Sequence, residues 1–179
     1  MRAALNTIYR GSGLLAGFFL VAIAVMSLTQ VCGRLLGLAT HSFDEFAGYC
    51  MAASSFLGLA WTLRCNEQIR MTLVIGRMKG GARHAMEVVC LALAAAITGY
   101  FAWSSVQMVW ISYTLDDVSQ GLVPITLWIP QSGMALGLAI LLLAFVDDLL
   151  VVLSGGTPSY ELADAARTTA EANAPVFER

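Results

Sequence analysis

Apolar and polar positions fall into long separate blocks along this chain. No charged residue occurs within 11–33, 46–63, 88–115 or 118–146, and all four stretches are rich in Leu, Ala, Val, Ile and Phe. At a rise of ~1.5 Å per residue the shortest makes about 27 Å of helix, close to the ~30 Å hydrocarbon core of a bilayer. Backbone N–H and C=O groups in lipid must be satisfied within the segment, which selects helices over open strands. The pattern predicts an all-α integral membrane protein with four transmembrane helices. Their expected bounds are about 12–35, 43–64, 85–114 and 124–149, within a membrane domain covering 1–153.

Composition agrees. Of the 179 residues 58% are hydrophobic and 12% charged, where soluble proteins carry about 25% charged residues. Four spans leave no room for a separate catalytic domain. No internal repeat is evident, which argues against the inverted-repeat core of many transporters. Arg2 and Arg10 precede the first apolar run as they would in a secretory signal. That run exceeds the ~7–15 residues of a signal core and three more follow, so it reads as a retained anchor. From residue 154 the chain turns to Ala, Thr, Glu and Pro. A disordered cytoplasmic tail is expected over 154–179, with at most a marginal helix over 160–172.

The cations give an orientation. Arg2 and Arg10 precede span one, and Arg64, Arg70, Arg77, Lys79 and Arg83 lie between spans two and three. Arg167 and Arg179 are in the tail, which leaves Arg34 as the one cation on the opposite side, among Asp44, Glu45, Asp116 and Asp117. Short loops rich in Lys and Arg stay in the cytoplasm. Both termini and the central loop are therefore expected inside, and the other two loops outside.

Several local patterns sharpen this outline. Arg34 closes span one, where its side chain can snorkel to the outer interface. Ser42-Phe43-Asp44-Glu45 fits a capping box that opens span two, and the carboxylates suit the positive end of the helix dipole. The same carboxylates would equally serve as an acidic edge for a partner. Between spans two and three, Met71, Val74, Ile75 and Met78 recur at helical spacing, with Arg70, Arg77 and Lys79 off the stripe. This predicts a short interfacial helix over 67–78, ended by Gly80-Gly81; a cytoplasmic extension of span two is the alternative.

Span three carries Tyr100, Trp103, Gln107 and Trp110, the last near the outer interface, where indole rings are favoured. Pro124 fits a first-turn position of span four, and Pro130 would kink that helix unless it begins there. Gly133 and Gly137 form a small-xxx-small pair that permits close helix approach. Asp147 and Asp148 close span four, at a helix end where the dipole disfavours anions. Pairing with Arg64 or Arg70, or with a partner's cations, would relieve them; exposure to interfacial water is the alternative.

Candidate chemistry is sparse. No Asp, Glu, Lys, Arg or His lies in the middle of a span, although proton-coupled pumps and small exporters need such a group as their ion site. His41 and His84 lie outside the spans, against a haem held between histidines in the bundle. Nucleophile elbow, HExxH and P-loop motifs are absent, so the chain is not read as an enzyme. Cys32, Cys50, Cys65 and Cys90 show no CxxC spacing and read as small buried thiols, a Cys32–Cys50 bridge being the alternative. Ser54, Ser55, Gln107 and Ser132 read as helix–helix contacts.

The order and spacing of motifs over nearly the whole chain resemble the small membrane subunit of tripartite ATP-independent periplasmic (TRAP) transporters, the Q-type or DctQ-like family. In that family an Arg closes the first span, an aromatic precedes two acidic residues that open the second, and Phe-Leu-Gly and an Arg follow. The matching positions are Arg34, Phe43-Asp44-Glu45, Phe56-Leu57-Gly58 and Arg64. Where the family usually continues Glu-His-Ile-x-Val-Asp, this chain reads Glu67-Gln68-Ile69-Arg70-Met71-Thr72. The resemblance implies an accessory scaffold in the bacterial inner membrane, surrounded by lipid and binding no nucleic acid. Its partners would be a large M-type membrane subunit, which holds substrate and Na+, and a periplasmic P-type binding protein that delivers an organic acid. No cofactor is implied for the small subunit, and Arg34, Asp44, Glu45, Phe56, Gly58, Arg64, Glu67, Asp147 and Asp148 are the candidate interface or motif positions. An autonomous homo-oligomeric small transporter or channel is the alternative function.

Overall fold

The computed structural model describes residues 2–37, 43–65, 81–121 and 123–155, together with residue 169. Four helices account for nearly all of them: α1 (Arg2–Leu35), α2 (Phe43–Arg64), α3 (Gly81–Thr114) and α4 (Trp128–Leu153). Each is long and apolar enough to cross a bilayer. With no β-strand among the described residues beyond one isolated bridge, this is an all-α, multi-pass membrane protein. The stretch expected to form an interfacial helix, 67–78, and the tail beyond 155 apart from residue 169 lie outside the described residues, as do Ser42 and Glu67.

The helix ends follow from local chemistry. At the end of α1, Gly37 adopts φ 72° and its N–H donates to the carbonyl of Arg34 at 3.1 Å. Glycine takes the left-handed conformation without the Cβ penalty, so the chain turns there. Gly155, with φ 75° and its N–H 3.0 Å from the carbonyl of Val152, ends α4 in the same way. Span four starts later than its sequence predicts. Pro124 precedes α4, and Pro130 stands in its first turn, where a missing N–H leaves no intrahelical bond unmade. The kink anticipated at Pro130 is therefore not required.

The chain packs as two compact units, one of Met1–Trp61 with Thr98–Leu142 and one of Thr62–Ile97 with Leu143–Arg179. In the first, α1 buries a narrow stripe: Tyr9, Ser12, Ala16, Gln30 and Gly33 recur at intervals that keep them on one face. Leu14, Phe18 and Leu28 on its other faces are exposed. Ala16, Ala53 and Leu57 form the core of this unit, with Phe19 and Ile140 packed on it. The second unit has a smaller core of Leu91 and Val152, flanked by Val88, Phe145 and Leu149. Narrow buried stripes suffice in a bilayer, because lipid tails solvate the remaining apolar faces as well as another helix would.

Candidate functional site

The Phe56-Leu57-Gly58 motif lies on α2 at its crossings with α1 and α4. Leu57 is buried in the core. A Cβ added to Gly58 would stand 3.6 Å from that of Ala16, and one added to Gly133 would stand 3.1 Å from that of Ala53. At Gly137 the fit is closer still: an added Cβ would come within 2.5 Å of the Phe56 carbonyl carbon and 2.8 Å of the Leu57 nitrogen. Only hydrogen fits between those backbones. The small-xxx-small pair of α4 thus has its partner, which is α2. Ser54 adds an interhelical bond, its Oγ donating to the carbonyl of Ala16 at 2.9 Å. On the opposite turn of α2, Trp61 packs over Gly13, leaving no room for a side chain there.

A second cluster forms where α1 finishes and α2 begins. Arg34 Nη2 lies 3.5 Å from Asp44 Oδ2, with both side chains largely exposed. In high dielectric such a pair contributes little, of order 0.2–1 kcal/mol. Glu45 behaves differently. Its Oε1 accepts from the Tyr49 hydroxyl at 2.7 Å, one helical turn on, and from the Ser119 hydroxyl in the connection between α3 and α4. The Gly121 N–H donates to Ser119 Oγ at 3.2 Å, and a Cβ on Gly121 would overlap the Glu45 carboxylate.

The connection is itself ordered. Val118 and Thr126 pair as an antiparallel bridge, the Leu127 N–H donates to the carbonyl of Asp117 at 2.9 Å, and the Ser119 N–H to that of Ile125 at 2.7 Å. Asp44 and Glu45 do occupy the first turn of α2. The Glu45 side chain is engaged by Tyr49 and Ser119, and the Ser42 half of the expected capping box lies outside the described residues.

Other sequence expectations meet mixed outcomes. Arg64 is the last residue of α2. Asp147 and Asp148 do not close the fourth helix, because α4 runs on through Leu149–Leu153, apolar residues that extend the pattern. Asp148 is buried, with 1% of its surface exposed, and Asp147 is half-buried, so simple exposure to interfacial water does not describe them. Cys32 and Cys90 are exposed in the isolated chain, contrary to the expectation of buried thiols, and no disulfide joins the four cysteines. Ser55, Gln107 and Ser132 are exposed as well, and among the described residues it is Ser54, of the four polar residues expected at helix contacts, that bonds across helices.

Tyr49 and Ser119 were not anticipated. Tyr49 is legible afterwards as the i+4 neighbour of Glu45, whereas nothing in the sequence pairs Ser119 with a residue 74 positions away. No group of three or more His, Cys, Asp or Glu among the described residues is arranged to hold a metal ion.

The arrangement is one of helix packing and loop anchoring. No curated protein and no solved structure matches this chain. The family model described as tripartite ATP-independent periplasmic transporters, DctQ component, matches residues 23–155, from the middle of α1 to the end of α4 and thus across both clusters. The chain belongs to the DctQ family of TRAP transporter components.

Proposed function

We propose that this chain is the small accessory membrane subunit of a TRAP transporter. It pairs with the large permease subunit and serves sodium-coupled, binding-protein-dependent uptake of an organic acid across the bacterial inner membrane. The observation that carries the reading is family membership combined with charge-free span interiors over 11–33, 46–63 and 88–115, and in α4 as far as Val146. A helix bundle that moved ions itself would need an ionisable group at depth. The small-residue contacts Gly137–Phe56 and Gly58–Ala16 suit a rigid scaffold better than a moving element. The cation distribution supports cytoplasmic termini, with the Glu45–Ser119 cluster on the periplasmic side, where the binding protein docks. Na+ and substrate then belong to the large subunit, and no cofactor to this one.

Reconstitution tests the reading. Proteoliposomes with this chain alone should take up no organic acid under an inward sodium gradient. Vesicles with the large subunit and the binding protein should do so only when this chain is also present. Uptake by the chain alone would establish the autonomous transporter instead.

A further inference from the structure

We infer that the hairpin joining α3 to α4 lies flat in the outer interfacial layer of the bilayer, its exposed apolar face seated on phospholipid. The inference requires only that the chain spans a membrane, and it adds a lipid-binding surface outside the helices.

Composition sets this connection apart. Residues 118–127 carry no charge, and Val, Leu and Ile make up half of them. Connections that run through water are built mainly of polar and turn residues. This one follows the acid pair Asp116 and Asp117, and α4 begins only at Trp128, so its apolar residues belong to no helix. The Val118–Thr126 bridge makes it a hairpin.

Its level follows from the helices it joins. The Tyr113 and Trp128 rings stand 5.8 Å apart, setting the last turn of α3 beside the first turn of α4. From Trp128 to Asp147, α4 covers about 28 Å at ~1.5 Å per residue, nearly the ~30 Å of the hydrocarbon core. With Asp147 at the inner edge, the two rings mark the outer edge, where aromatic side chains gather. The hairpin starts at that edge and does not rise from it. Ser119 near its entry bonds the Glu45 carboxylate, and a Cβ on Gly121 near its tip would overlap the same group. Entry and tip thus meet the first turn of α2 together.

Alternation along the strand divides the faces. Ser119 is buried, while Val118 and Gln120 on either side of it are exposed. Val118 (52%), Val123 (45%) and Leu115 (68%) present apolar side chains that the described residues leave open. Leu115 is also the upper end of a stripe on α3. Ile97, Phe101, Met108, Ile111 and Leu115 are all exposed and recur at i, i+4, i+11, i+14 and i+18, one side of a helix. That stripe asks for no hydrogen bond and suits acyl chains, and it runs into the connection without a charged residue. Continuity with the membrane-embedded surface selects phospholipid as the occupant. A soluble delivery protein that comes and goes would leave the face bare to water between visits. The hairpin meets the demand a membrane edge places on non-helical backbone, since Leu127 bonds Asp117 and Ser119 bonds Ile125 through main-chain groups.

Fluorescence quenching in proteoliposomes tests the placement. An environment-sensitive fluorescent amino acid is introduced at 118, 123, 28 or 44, one per chain, and each chain is measured alone and with the large subunit co-expressed. Positions 118 and 123 carry exposed side chains, so the packed face of the hairpin stays intact. Emission from both should be blue-shifted, quenched by phosphatidylcholine brominated near its ester carbonyls, and shielded from aqueous iodide. Position 28, on the exposed apolar face of α1, supplies the lipid reference. Position 44 should be quenched by iodide, which shows that the fluorophore does not draw itself into the bilayer. Iodide quenching at 118 and 123 would put the hairpin in water and overturn the inference. Lipid quenching that vanishes when the large subunit is present would overturn it too, making the face a protein contact.

Discussion

Gly137 of α4 rests on the peptide of Phe56 in α2, with room for a hydrogen and nothing larger: a methyl there would meet the carbonyl oxygen at 2.7 Å. The obstacle is backbone, which cannot rotate aside as a side chain can. Gly137→Ala should therefore force α2 and α4 apart and destabilise the chain by about 1–3 kcal/mol, as overpacking generally does. Gly17→Ala, where nothing lies within 4 Å, should be neutral or stabilising by up to about 1 kcal/mol through helix propensity. Reversible unfolding in mixed micelles compares them. Equal midpoints for the two variants would show that the helices do not approach this closely.

Ser54→Ala tests the neighbouring contact with a different magnitude. The Ser54 hydroxyl donates across helices to the carbonyl of Ala16, but Ser54 is partly buried, and such bonds in bilayers average ~0.6 kcal/mol. The unfolding midpoint should move by less than for Gly137→Ala. A larger loss than that would mean the hydroxyl carries the α1–α2 contact, in place of small-residue packing.

The limits of sequence reasoning run between these residues. Four apolar blocks were legible because span length and charge exclusion are set by the bilayer, and the observed helices follow them. Gly133 and Gly137 were recognisable as a close-approach pair, while their partner on α2 was not, since spacing along one helix is silent about which helix it meets. Pro130 became intelligible only with the start of α4 at Trp128. Asp147 and Asp148 look like the end of a span by charge alone, yet the apolar run Leu149–Leu153 carries α4 past them. The capping-box rule that places Glu45 at a helix start is local and silent about the Ser119 hydroxyl, which the bridge between Val118 and Thr126 brings to the carboxylate.

The Glu45–Ser119 bond should hold the connection between α3 and α4 against α2. Bonds to a carboxylate contribute more than neutral ones, of order 1.5–3 kcal/mol. A double-mutant cycle of Glu45→Ala and Ser119→Ala should return a coupling of about 0.5–3 kcal/mol. Gly121→Ala adds a sharper check, because its methyl would overlap the Glu45 carboxylate. It should destabilise the parent and be tolerated once Glu45 is Ala. Additive effects throughout would show that the carboxylate and the loop do not meet.

Asp44 and Glu45, adjacent in sequence, should then part company in transport assays. Asp44 is largely exposed and lies 3.5 Å from Arg34, whereas Glu45 is half-buried under the α3–α4 connection. An exposed charge at a docking rim acts on encounter rate and is screened by salt, since the Debye length is only ~10 Å at 0.1 M. In the reconstituted three-component transporter, Asp44→Asn should leave complex yield unchanged and slow uptake at low ionic strength, with the deficit fading as salt rises. Glu45→Ala should lower uptake to a similar degree at every salt concentration, because it loosens structure and does not merely remove field. Measuring uptake against ionic strength for both variants, beside the yield of the membrane complex, separates the two roles. If Asp44→Asn proved salt-independent, or if it cost assembly, the pair with Arg34 would be structural and the idea of an electrostatic docking rim would be abandoned.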